Sequence, residues 1–268
     1  TMLLTGCGSS GSEERVVNVC SWGEYIDEDL IYQFEDETGI KVNYQTAESN
    51  EALYSLLKTG AGDYDVIVPS DYMIGRLIAE DMLAELNYDN IPNAKYIDDS
   101  YRGLAFDPED KFSVPYTWGT VGIIYNTKYV DEADVTGWEL LWNEKYADKI
   151  LMFDNSRDAF GTAQYYLGVD VNSDDEADWR RALELLKEQK QVVQGYVMDE
   201  IYNKMENGSA AIAAYYAGDF LTMYEENPDL EFFYPAEGTN LYVDAMCIPT
   251  CAKNKLIAER YINFMLSE

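Results

Sequence analysis

Carboxylates, phenols and an indole gather where two apolar runs of this chain give out. The run Val16–Cys20 delivers Trp22, Glu24 and Tyr25 into a turn, and Asp65–Pro69 delivers Ser70, Asp71 and Tyr72. Groups of these types hold a small molecule by charge, hydrogen bonds and ring faces. Further along, Asp154–Asp158 follows the apolar run Ile150–Phe153, and Tyr215–Asp219 follows Ala210–Tyr215. Tyr242 and Asp244 lie on the alternating run Leu241–Pro249. Bond-making chemistry is less well served. The 268 residues contain no histidine, which removes Ser-His-Asp and Cys-His nucleophiles and His-containing zinc sites. No P-loop or G-x-G-x-x-G occurs, so nothing supports nucleotide binding. With 50 acidic residues, carboxylate pairs arise everywhere by chance, and a carboxylate-pair hydrolase stands only as a third reading.

The elements that must position these groups are written in local signals. Val16–Tyr72 reads strand, helix, strand, helix, strand. Asp27 caps a helix with Leu30, Ile31 and Phe34 on its apolar face, and Gly39 supplies the left-handed stop. Ile40–Tyr44 alternates as a half-buried strand does. Ser49 or Asn50 caps a helix with Leu53, Leu56 and Leu57 buried, ended by Gly60. Val66–Val68 is apolar on both faces, as befits a central parallel strand. In such sheets ligands bind beyond the carboxyl ends of the strands, where the two turns lie.

The same grammar continues. A helix is expected over Ile74–Glu80 and a strand over Val121–Tyr125. Thr136–Glu139 reads as a capping box opening a helix with Trp138, Leu141 and Trp142 on one side. Strands follow at Ile150–Phe153, Ala210–Tyr215, Leu230–Tyr234 and Leu241–Pro249. Helices are expected over Ala159–Leu167, Glu176–Gln189, Tyr202–Glu206 and Lys253–Leu266. Two crossovers, before Val121 and within Leu241–Pro249, divide the chain. Residues 14–120 plus 243–268 form lobe 1 and 121–242 form lobe 2, after a tether over 1–13. This is the α/β, two-lobe architecture of a hinge-closing solute-binding protein with the ligand cleft between lobes.

Charge and composition narrow the partners. A formal charge of −31, from 19 basic and 50 acidic residues, argues against nucleic acid, which needs a basic surface. The 23 tyrosines, against 9 Phe and 5 Trp, suit a wet, aromatic-lined cleft as well as a core. Leu4-Thr5-Gly6-Cys7 followed by a Gly/Ser/Glu stretch looks like a lipobox and tether, with the start of the signal peptide cut away. Cys7 is then the lipidated residue. Cys20 reads as a small core residue, and Cys247 and Cys251, with Pro249 between them, are not expected to pair. Neither a metal site nor a cofactor is indicated.

SWGEYI, F-x-x-E-T-G-I-K-V, E-S-N-E-x-x-Y, YDVIVPSDY, P-Y-x-W-G-T and V-D-A-M-C-I-P-T occur in that order. From Val16 to its last residue the chain therefore resembles the spermidine/putrescine-binding proteins of bacterial polyamine ABC importers. The resemblance implies an extracytoplasmic monomer that binds putrescine or spermidine, works with a permease and is anchored by lipid. It also implies a pocket. Trp22, Glu24 and Tyr25 match the family's Trp-x-Glu-Tyr turn, and Ser70 and Tyr72 its Ser-x-Tyr. Asp158 matches the acidic residue that holds a terminal ammonium, and Asp244 the carboxylate that reaches the central amine. Asn155 stands where those relatives have an aspartate, and Tyr215 and Tyr242 where they have tryptophans. The family continues for several helices beyond the position of Glu268, so a pocket tyrosine and glutamine are expected there. The tandem Tyr215-Tyr216 also resembles ferric-ion-binding proteins of the same superfamily, which is the alternative reading.

Overall fold

Strand β1 (Val16–Ser21) opens the fold and is followed by α1 (Glu28–Thr38), β2 (Lys41–Thr46), α2 (Asn50–Thr59), β3 (Val66–Ile67) and α3 (Asp71–Ala79). A long strand β4 (Ser113–Asn126) leads to β5 (Ile150–Phe153), α4 (Ser156–Tyr166), α5 (Glu176–Gln189), β6 (Val193–Val197) and α6 (Glu200–Glu206). The chain ends through β7 (Ile212–Tyr216), α7 (Ala217–Glu226), β8 (Leu230–Phe233), β9 (Leu241–Cys247) and α8 (Lys255–Met265). This computed structural model describes residues 15–23 and 25–267. The candidate lipid site Cys7, the tether over 1–13 and the candidate ligand residue Glu24 lie outside the described residues. The chain divides into two units, one ending at Tyr116 and resuming at Asp244, the other spanning Thr117–Val243.

In the first unit β2, β1 and β3 run parallel and β9 joins β3 antiparallel at Ile67 and Cys247. Alternation along the strands feeds two clusters. Val17, Val19, Val66 and Val68 pack with Phe34 of α1 and Ile257, Tyr261 and Ile262 of α8. Cys20, Ile67 and Cys247 turn the other way, onto Leu53 and Leu57 of α2 and Met73, Ile74 and Leu77 of α3. A sheet covered on both faces needs apolar residues on both, and each large side chain so buried contributes roughly 1.5–3 kcal/mol. The helix punctuation is local. Asp27 accepts from Asp29 N, Ser49 accepts from Ala52 N, and Gly39 and Gly60 close α1 and α2 at φ 63° and 66°. Buried Asp65 ties β3 to the start of α8 by accepting from Lys253 N at 3.0 Å and Asn254 N at 3.1 Å.

In the second unit β4 is flanked antiparallel by β7 and β8, while β5 lies parallel to both β7 and β6. Its core joins Ile123, Trp138, Leu141, Phe153 and Ile212. Three expectations are corrected here. Trp138–Trp142 is a 3-10 helix capped at Gly137, and the Thr136 hydroxyl meets the Glu139 carboxylate without capping the helix. Trp138, Leu140 and Leu141 are all fully buried, so packing overrides the amphipathic α pattern. Helix α4 starts at Ser156, three residues earlier than expected, and α7 begins directly after β7 where a polar turn was expected. Strand β6 has no counterpart in the sequence reading, because Gly195 interrupts its apolar alternation. Cys20, Cys247 and Cys251 are free thiols.

Candidate functional site

In the first unit two of the candidate residues, Tyr25 and Ser70, meet Asp244. β9 carries this residue inward to 4% exposure. Its Oδ2 accepts the Tyr25 phenol, a contact spanning 219 residues of sequence. Tyr25 is itself held, because Tyr116 donates to its carbonyl at 2.8 Å and the two rings sit 5.9 Å apart. Ser70, at the N-cap of α3, forms an isolated antiparallel bridge with Asp244. Two residues on, in the first turn of α3, the Tyr72 phenol donates to Glu51 at 3.1 Å. Trp22 is half-buried against the cluster of Cys20, Leu53 and Ile67, and its carbonyl accepts from Tyr44 at 3.5 Å.

The second unit builds a comparable group around Asp158. This carboxylate lies in the first turn of α4 and is 8% exposed. Oδ2 accepts from Asn155 Nδ2 at 2.9 Å and from the Tyr216 phenol at 2.7 Å, and Oδ1 accepts from Asn240 Nδ2 at 3.2 Å. Three neutral donors thus meet this carboxylate. Hydrogen bonds to a carboxylate favour its ionised form. Asn155 has two tasks, since its Oδ1 also caps α4 by accepting from Arg157 N and Asp158 N. The Tyr242 ring meets Tyr216 edge-on at 5.3 Å.

Tyr215 is placed elsewhere. It is 2% exposed and stacks on Phe153 at 5.6 Å within the core of the second unit. Successive residues on a strand face opposite ways, so the phenol brought to Asp158 is that of Tyr216. Sequence reasoning placed Tyr216 only in the ferric alternative and Asn50 only as a possible cap, and it missed Asn240. The period-two alternation of β7 separates Tyr215 from Tyr216 but does not say which faces the core. Asn240 lies 82 residues from its partner Asp158, beyond any local signal.

The tyrosines also bear on the ferric alternative. Burial pushes the Tyr215 phenol up, helped by Asp219, and burial with the adjacent Asp158 charge pushes Tyr216 well up. In the cation-free protein both phenols are therefore harder to ionise than a free one. Among the described residues no group of three or more His, Cys, Asp or Glu side chains is arranged to hold a metal ion.

Comparison with known proteins gives the context for these two groups. The chain is 34% identical to the spermidine/putrescine-binding periplasmic protein 1 of Haemophilus influenzae, over 99% of this chain and 77% of that protein. Among solved structures it resembles the spermidine/putrescine ABC transporter substrate-binding protein of Streptococcus pneumoniae, with 38% identity and a TM-score of 0.76 over 94% of this chain and 78% of that one. It also resembles a lipoprotein of Treponema pallidum, at 30% identity and a TM-score of 0.85 over 94% and 80% of the two chains. The sequence model of one family matches residues 29–268, and the chain therefore belongs to the bacterial extracellular solute-binding proteins.

Proposed function

We propose that this protein is the extracytoplasmic substrate-binding component of an ABC importer and that its solute is a polyamine, putrescine or spermidine. It is a binder, not an enzyme. The observation that carries the reading is the pair of buried carboxylates, one in each unit, Asp244 accepting from a tyrosine and Asp158 from a tyrosine and two asparagines. A polyamine is a methylene chain with two or more ammonium groups. Asp244 with Tyr25, Ser70, Tyr72 and Trp22 suits one ammonium, and Asp158 with Asn155, Tyr216 and Tyr242 suits another. Burying about four methylenes supplies roughly 3 kcal/mol, whereas micromolar affinity needs about 8 kcal/mol. The remaining roughly 5 kcal/mol falls to charge-assisted hydrogen bonds and cation–π contacts. Glu24, next to Tyr25 in sequence, belongs to the proposed set by its place in the Trp-x-Glu-Tyr turn. Cys7 is the proposed lipid anchor of a protein that acts as a monomer and hands its solute to a membrane permease.

Calorimetry on ligand-stripped protein tests this with putrescine, cadaverine, spermidine and spermine, and with 1,4-butanediol as the uncharged control. Binding of at least one amine and none of the diol is expected. No heat from any of the four amines would sink the proposal.

A further inference from the structure

The E-S-N-E stretch that opens α2 is only partly explained by helix capping. Ser49 performs that task, accepting from Ala52 N at 3.1 Å. Asn50 follows it as the first residue of α2, is 6% exposed, and spends its side chain on a residue twenty positions away. Its Oδ1 accepts from Ser70 N at 3.0 Å, and its Nδ2 donates to Ser70 Oγ at 2.9 Å. The direction of both bonds is forced. A backbone N–H can only donate, so Oδ1 must face it, and the amide nitrogen must then face the hydroxyl oxygen. Ser70 stands at the N-cap of α3 yet its side chain makes no capping bond. Its hydroxyl answers to Asn50 instead. The neighbouring Glu51 accepts from Tyr72, so consecutive residues of α2 grip both members of the Ser-x-Tyr pair.

We propose that Asn50 is a positioning residue for the ligand group of the first unit. It turns the Ser70 hydroxyl hydrogen away from α2, leaves a lone pair of Ser70 Oγ for an incoming ammonium, and holds the backbone of Ser70 where it bridges to Asp244. This rests on the polyamine reading above. A residue that only stabilised α2 would bond its own helix backbone, which Asn50 does not do with its side chain.

Asn50→Ala, Ser70→Ala and the double variant test the role, with amide hydrogen exchange at Ser70 in the ligand-free protein and calorimetric affinity for putrescine and spermidine as readouts. Asn50→Ser, whose side chain is one bond shorter, carries the same test if the alanine variant does not fold. Loss of the two bonds should speed exchange at Ser70 at least about tenfold and weaken binding by roughly five- to twentyfold. The double variant should bind only about as weakly as the weaker single one, because Asn50 acts through Ser70. Three results overturn the role while the wild type still binds: unchanged exchange at Ser70, affinity of Asn50→Ala within about twofold of wild type, or single losses that multiply to within about twofold in the double variant. Wild-type protein that binds no amine overturns the functional reading and this proposal together.

Discussion

Replacing Asp244 by Asn should weaken polyamine binding far more than replacing Asp131 by Asn, although each change takes the formal charge from −31 to −30. The two carboxylates live in different media. Asp244 is 4% exposed and accepts from the Tyr25 phenol, so an ammonium that reaches it does so with little water to screen the charge. Removing one partner of such a pair costs about 2–5 kcal/mol, since the other charge stays buried without its counterion. That corresponds to roughly thirtyfold to several thousandfold in Kd. Asp131, by contrast, has a side chain 61% exposed and lies 3.7 Å from the exposed Lys145. Its charge is screened by water and by a Debye length of about 8 Å at physiological salt, so its loss should change Kd by less than about twofold. The Asp131 side chain also caps a 3-10 turn by accepting from Ala133 N, and Asn preserves that bond. Titration calorimetry on both variants in one buffer decides the matter, with thermal melts to confirm folding. Equal losses would mean that binding reads only net charge, and the assignment of Asp244 would be refuted.

Three further outcomes are expected. Tyr216→Phe should weaken binding by about tenfold to a hundredfold, the worth of one hydrogen bond to a charged group, whereas Tyr215→Phe should stay within about twofold; fluorescence or calorimetric titration that reversed this order would reverse the assignment of the two rings. Glu80 is held down to about 2 from 4.5 by its hydrogen bonds to Lys58, Tyr54 and Arg76. A depressed carboxylate stabilises the fold above its unfolded value and loses that effect as pH falls through the folded one. Glu80→Gln should accordingly lower Tm slightly at pH 7, with the gap to wild type closing between about pH 4.5 and 2; a gap independent of pH would contradict the linkage. Finally, Cys7→Ser in cells should shift the protein from the membrane to the soluble extracytoplasmic fraction, and unchanged membrane retention on fractionation would argue against the lipid anchor.

What the amino-acid order alone determined is local punctuation. Asp27 and Ser49 start α1 and α2, Gly39 and Gly60 end them at positive φ, and α5 occupies Glu176–Gln189 as its apolar spacing predicts. Caps, left-handed stops and periodicity act over a few residues, so they are legible wherever propensity and packing agree. Tertiary structure decided the rest. Trp138–Trp142 gave up α geometry because three of its side chains sink into one core. The strand period separates Tyr215 from Tyr216 but leaves open which phenol reaches Asp158, and in the folded chain it is that of Tyr216. Asn50, legible only as a possible cap, became the partner of Ser70. The contacts that define each candidate group, Tyr25 with Asp244 and Asn240 with Asp158, join segments 219 and 82 residues apart. Such pairings exist only once strands have taken their order in a sheet, since no property of either segment alone selects the other.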